Sequence, residues 1–374
     1  MNRAAILIAM ILLGGSVASA GTKGDILIGG VAPKTGEAAT FGLSTENGVR
    51  LAIEQANAAG GLLGGRRIRL IFEDDKGDPV AGKLAFSRLI ERDRVCAVIG
   101  TVMSKVSIAG ADVAERARVP MISTASTNPL VTLGKKYVFR ACFIDPFQGR
   151  VMAKFARETL GARRAAVLYD AANDYNKGLA EVFRDVFTEL GGQVVAFESY
   201  PERSVDFRPQ LTKIQRAAPD VLFLPNYYND VALQARQARE VGITAQLLGG
   251  DGWDSPDLAK SAGPAVEGGY FSNHFTRESE APAVRAFTEA YQQRFGAAPD
   301  ALAALGYEAA QILLDAVRRA GSDSPEKIRD ALEQTDLETI TGRITFDANH
   351  NPLKAAVILR LENGQQRFHC WVKP

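Results

Sequence analysis

From Asp25 onward the chain alternates short apolar runs with longer stretches whose apolar residues recur every three or four positions. Asp25–Val31, Arg67–Phe72, Val95–Ile99, Val119–Ile122 and Val138–Phe143 have the length and composition of strands. Val95–Ile99 is apolar without a break, which predicts a strand covered on both faces, as in a parallel sheet. Between the runs lie helices. Val49, Ala52, Ile53 and Ala56 mark one face of a helix that follows a loop at Ala32–Gly42 and stops at Gly60-Gly61. Asp78 caps a second helix starting at Pro79, and Val106–Arg118 has the spacing of a third. Strand and helix in strict alternation predict an α/β fold with a doubly wound parallel sheet.

After Ile144-Asp145-Pro146 the pattern restarts, and a domain crossing is expected near Asp145. A helix through Leu160 leads to strands at Ala165–Tyr169, Val194–Glu198, Val221–Leu224 and Gln246–Gly249. Helices over Lys177–Leu190, up to Ala218 and over Val231–Val241 separate them. Helices near Ala281–Phe295, Ala301–Ala320 and Pro325–Glu333 precede a β finish at Arg343–Phe346, Ala355–Leu361 and Arg367–Val372. Glu362-Asn363-Gly364 reads as a hairpin turn.

The first twenty residues change the picture of where the chain works. A basic start, an apolar run through Gly15 and Ala18-Ser19-Ala20 make a secretory signal with its cleavage site, so residues 1–20 are expected to be removed. No Cys follows that run, which disfavours a lipid anchor. Without Arg3 the chain carries equal numbers of basic and acidic residues, which argues against a nucleic-acid or polybasic membrane role. Cys96, Cys142 and Cys370 read as buried thiols, with a Cys142–Cys370 pair as an alternative. No metal-ligand spacing, P-loop, G-x-S-x-G or H-E-x-x-H occurs, and no cofactor is called for. His274, His350 and His369 are scattered and read as structural.

Candidate chemistry gathers where strands end. Ser104 follows one strand, and Ser123-Thr124-Ala125-Ser126-Thr127-Asn128-Pro129 follows the next. In an open α/β sheet such turns lie side by side at the carboxyl edge, where ligands bind. A Ser or Thr before a helix most often serves only as an N-cap, but two such turns in tandem, with hydroxyls and free N–H groups at helix starts, suit a small carboxylate. Tyr175, Tyr227 and Asp251 follow three strands of the second half. A Tyr can wall and hydrogen-bond a ligand, and a partly desolvated Asp can pair with an ammonium; Asp251 could equally close an Asx turn.

These residues, taken with several short motifs, resemble the periplasmic binding proteins of branched-chain amino-acid ABC transporters. The motifs include Ala56-Asn57-Ala58-Ala59-Gly60-Gly61, Glu73-Asp74-Asp75, Val98-Ile99-Gly100, Thr127-Asn128-Pro129 and Gln237-Ala238-Arg239-Glu240-Val241-Gly242, in order along the mature chain. The resemblance implies the type I fold, two Rossmann-like lobes joined by three crossings. It implies one lobe from residues 21–145 plus 275–350 and a second from 146–274 plus 351–374. It also implies a periplasmic monomer that is not an enzyme, delivering an amino acid to an inner-membrane ABC permease.

Carried over residue by residue, the resemblance assigns Ser104 and Thr127 to the ligand's α-carboxylate, and the Ala125 carbonyl and Asp251 to its α-ammonium. Tyr175 and Tyr227 become the second lobe's aromatic contacts, and Phe41 lines the side-chain pocket. Two departures are visible. The family commonly has Glu where Asp251 stands, one methylene longer. A disulfide joins the positions of Gly77 and Met103 in its best-known members, and neither residue here is Cys. The expected ligand is therefore an aliphatic, branched amino acid. Rival readings are an aromatic carboxylate or amide in the same fold, a ligand sensor for a membrane receptor, and an exported hydrolase, which would need a base beside Ser104.

Overall fold

The computed structural model describes residues 24–373; the expected signal segment lies outside them. The chain builds two sheets. Strands β1 (Ile26–Ala32), β2 (Ile68–Asp74), β3 (Ala97–Gly100), β4 (Met121–Ser123) and β5 (Val138–Arg140) form an all-parallel sheet in the order β2-β1-β3-β4-β5. Helices α1 (Ala39–Ala58), α2 (Pro79–Ser87) and α3 (Ser104–Ala117) connect its strands. Ile26, Ile28, Val98 and Ile99 are buried between helical layers, which is why these strands read as continuous apolar runs.

The second sheet holds β6 (Arg164–Asp170), β7 (Gln193–Tyr200), β8 (Val221–Leu224), β9 (Gln246–Gly249), β10 (Tyr270–Asn273), β13 (Ala356–Glu362) and β14 (Gln365–Val372), ordered β14-β13-β10-β9-β8-β6-β7. Its strands run parallel up to β10, and β13 and β14 add an antiparallel edge. Asn363 and Gly364 both have positive φ, 53° and 70°, which makes the expected hairpin turn one of the primed types that match strand twist. Helices α4 (Asp145–Lys154), α5 (Asp174–Glu189), α6 (Arg208–Ala217), α7 (Tyr228–Glu240) and α8 (Pro256–Ala262) belong to this lobe. The small hairpin β11 (Asp336–Thr339) and β12 (Gly342–Thr345) stands apart from both sheets.

The chain passes between lobes after β5, after β10 and before β13. On the second passage α9 (Pro282–Phe295), α10 (Ala301–Ala320) and α11 (Pro325–Glu333) return to the first lobe. Helix α10 lies directly against α1. A Cβ on Gly48 would stand 2.0 Å from the Ala303 carbonyl oxygen, and one on Gly306 would stand 2.4 Å from that of Thr45, so glycine is what allows the two backbones to meet. A buried ion pair fastens the crossings: Lys354 Nζ meets the Glu308 carboxylate and donates to the Ala141 carbonyl at 2.8 Å. Thr339 and Thr341 hydroxyls donate to the other Glu308 oxygen, so both ions are hydrogen-bonded as burial requires.

Several boundaries differ from the sequence reading. Helix α1 starts at Ala39, inside the stretch read as a loop, because Phe41 and Thr45 are drawn into the lobe interior although Ala38 supplies no side-chain cap. Strands β10 and β11 and helix α8 were absent from the sequence reading. All three cysteines are free thiols, so Cys142 and Cys370 do not pair, and Cys370 is half-buried rather than buried.

Candidate functional site

Helix α3 opens at Ser104 with no side-chain cap; Met103 precedes it in extended backbone. Ser104 is therefore not the N-cap that the sequence left open. Its hydroxyl instead accepts from the Asn128 N–H at 3.3 Å, which ties the first strand-end loop to the second. Within the second loop the hydroxyls have distinct fates. Ser126 Oγ donates to the Val102 carbonyl at 2.8 Å, and Thr124 Oγ1 donates to the Thr101 carbonyl at 3.2 Å. The Thr127 hydroxyl is buried and has no hydrogen-bond partner among the described residues, though it lies close enough to Asp145 to favour that carboxyl's charged form.

Beneath this loop runs Arg140, wholly buried at the end of β5. Its guanidinium donates to the carbonyls of Ser126 at 2.7 Å and Asn128 at 2.9 Å and to the Thr132 hydroxyl at 3.0 Å. Burial pulls its pKa down from the usual Arg value, yet a guanidinium stays charged in proteins. The loop that carries Thr127 thus rests on a fixed positive charge. Asp145 heads α4 at the first crossing, and burial raises its pKa to about 8.

The facing wall comes from the second lobe. Tyr175, in the first turn of α5, stacks on Tyr227, with centroids 5.1 Å apart and planes 20° from parallel. Its hydroxyl donates to Asp251 at 2.9 Å and accepts from the Gly252 N–H at 3.1 Å. Desolvation pushes both tyrosine pKa values well up, so both phenols remain protonated donors. The other Asp251 oxygen lies 3.1 Å from His274 Nε2, and the Asp251 N–H donates to Gln148 Oε1 at 2.9 Å. Burial lowers the His274 pKa; the ring stacks on Phe143 at 3.7 Å, and its Nδ1 has no hydrogen-bond partner among the described residues. Phe41, edge-on to Tyr227 at 6.0 Å, completes the aromatic wall.

All the residues singled out from the sequence, Phe41, Ser104, Ala125, Thr127, Tyr175, Tyr227 and Asp251, line one cavity, joined by Val102, Gly252 and Leu302. The cavity is tight: about 10 Å³ could hold the centre of a water-sized sphere, room for about one water. The lobes also touch around it. Lys105 pairs with Glu202 at 2.8 Å, Asn128 Nδ2 donates to the Asp174 carbonyl at 2.9 Å, and Tyr228 donates to the Glu37 carbonyl at 2.6 Å.

Three contributors escaped the sequence reading: Arg140, Gln148 and His274. Arg140 left a signal, a lone cation inside an apolar strand; Gln148 and His274 left none. Among the described residues no group of three or more His, Cys, Asp or Glu side chains could hold a metal ion.

Two α/β lobes closed on a cavity with neutral donors on one wall and a carboxylate on the other define a two-lobed solute-binding protein. The chain belongs to the periplasmic binding protein family, whose model matches residues 25–366. A Leu/Ile/Val-binding protein homolog 2 of Brucella abortus (strain 2308) is 33% identical over 356 residues, 93% of this chain and 94% of the relative. The crystal structure of the leucine-binding protein LivK of Thermotoga maritima MSB8 superposes with a TM-score of 0.89 at 39% identity, covering 93% of this chain and 99% of that one. LivJ of Streptococcus pneumoniae, solved with isoleucine, gives 0.89 at 32% identity, covering 94% and 100%. Each relative is named for binding or transport rather than for turnover.

Proposed function

We propose that this chain captures a branched-chain aliphatic amino acid in the periplasm and presents it to the permease of an ABC importer. The observation that carries the reading is the opposition of Asp251 to the Ser104 and Thr127 hydroxyls across one cavity. A zwitterion satisfies both walls at once. Its carboxylate accepts from the two hydroxyls over the Arg140 charge, and its ammonium meets Asp251 and the Ala125 carbonyl. Phe41, Val102, Leu302 and the paired tyrosines leave only apolar surface for the side chain, which supports an aliphatic one.

Because the walls are nearly in contact, entry requires the lobes to part, and ligand contacts to both lobes then favour the closed form. Lobe limits at residues 21–145 plus 275–350 and at 146–274 plus 351–374 belong to this reading, which the membership of the strands in the two large sheets supports. Removal of residues 1–20 on export, and action as a monomer, belong to the same proposal.

Calorimetry with leucine, isoleucine and valine, set against benzoate and acetamide, tests it. Tight binding of the amino acids alone is expected. Benzoate binding in their place would overturn the reading, since Asp251 would then face an anion.

A further inference from the structure

Beside the ligand cavity lies a larger one between the lobes, about 420 Å³, and two carboxyls on its wall have no role in the proposed ligand contacts. Asp254 ends the turn that begins at Asp251 and so moves with the second lobe. Its Oδ2 accepts from the Ala301 N–H at 2.7 Å, across the interface, at the first turn of α10. Asp300, the N-cap of α10, accepts from the Ala303 N–H at 2.8 Å and from the Ser44 hydroxyl at 2.6 Å. One helix start therefore holds two acids, one from each lobe. Leu302, between the two capped positions, walls the ligand cavity. Nearby, Ser255 Oγ lies 3.3 Å from the Thr40 hydroxyl, a second contact of the same closure.

We infer that Asp254 is the cross-lobe cap that couples closure to completion of the ligand cavity, and that bringing it against Asp300 makes closure take up a proton. The inference rests on the proposed capture function. When the lobes part, Asp254 leaves α10 and regains water; when they close, it is buried beside the half-buried Asp300, the two carboxylates share one helix start, and one of them is held neutral. Burial and the Asp254 charge raise Asp300 to about 7, and burial raises Asp254 as well. The other groups facing the pair do not remove the conflict. His274 favours the charged Asp254 weakly and is itself held toward neutrality by burial; Asn273 and Gln366 face Asp254 as neutral amides; Tyr291 faces Asp300. Arg277 lines the outer part of the cavity.

The sign is fixed by the closed form's higher proton affinity: closure is favoured at low pH and loses ground as pH rises toward and through about 7. Leucine or isoleucine should bind about tenfold more weakly at pH 8 than at pH 6. At pH 7 the heat of binding should change with the buffer's ionisation enthalpy, reporting proton uptake. Asp300→Asn keeps a capping side chain and should flatten the profile and remove the buffer dependence. Asp254→Ala should weaken binding at every pH, while Asp254→Asn should restore most of the affinity without the proton. Buffer-independent heat with intact binding overturns this inference alone. A wild-type profile retained in Asp300→Asn overturns it too, by assigning the proton elsewhere, to Asp145 for instance. Absence of any amino-acid binding overturns the proposed function and this inference with it.

Discussion

His274 holds Asp251 from behind: its Nε2 lies 3.1 Å from one carboxylate oxygen while Tyr175 donates to the other at 2.9 Å. With the imidazole held neutral by burial, the geometry requires the tautomer that carries its proton on Nε2. Replacing His274 by Ala should cost about 1.5–3 kcal/mol of amino-acid affinity, the range for a hydrogen bond to a charged group. Calorimetry reads the loss, and nitrogen NMR of the wild-type ring reads the tautomer. An Nδ1–H ring would contradict the arrangement.

Asp251→Ala should remove the only carboxylate among the described residues that line the cavity. A desolvated ammonium left without its charged partner loses about 3–5 kcal/mol, a drop of roughly 150- to 5,000-fold in affinity. Equal affinity in wild type and variant would refute the assignment of Asp251 to the ammonium.

Asp145 makes a stability prediction. Its pKa is raised by burial to about 8 in the folded chain, against an ordinary value of 3.8. Between these values the folded chain keeps a proton that the unfolded chain releases, so this group's contribution to stability falls as pH rises through that window and is level above it. Asp145→Asn removes the penalty. Its melting point should exceed the wild type's by a margin that widens from pH 5 to pH 8, reaching roughly 5 °C. A margin constant with pH would show that Asp145 titrates normally.

The Lys354–Glu308 pair at the crossings predicts non-additivity. Lys354→Met or Glu308→Gln alone leaves a buried group without its partner and should destabilise by about 3–5 kcal/mol. Lys354→Met combined with Glu308→Leu should recover much of that loss, because two apolar side chains replace two desolvated charges. Chemical denaturation of the three variants yields the coupling, and additive losses would sink the claim.

Most of the architecture was legible because the central strands are buried on both faces and leave unbroken apolar runs, as at Ala97–Gly100 and Val221–Leu224. The candidate wall residues were legible for a related reason, since they stand where those runs end. What escaped is of another kind. Tyr270–Asn273 carries Ser272 and Asn273 at buried positions, so it lacks the apolar signature; Ser272 is accommodated by donating to Gln148 Oε1 at 2.9 Å. Ala39–Ala58 begins among glycine and hydroxyl residues, and it is the burial of Phe41 and Thr45 in the lobe interior, a tertiary effect, that draws that turn into the helix. Gln148 lies 103 positions from Asp251 and His274 lies 23, spacings that no local pattern records.

The thioether of Met103 sits 3.0 Å from where a Cβ on Gly77 would project. These are the positions at which the family resemblance implies a disulfide, and here neither is Cys and the Met103 thioether packs against Gly77 instead. The loop ahead of Ser104 therefore has no disulfide to form before it can set. A chain made in a reducing cytosol should mature as completely as one folded outside it, and thiol reagents should leave capture untouched.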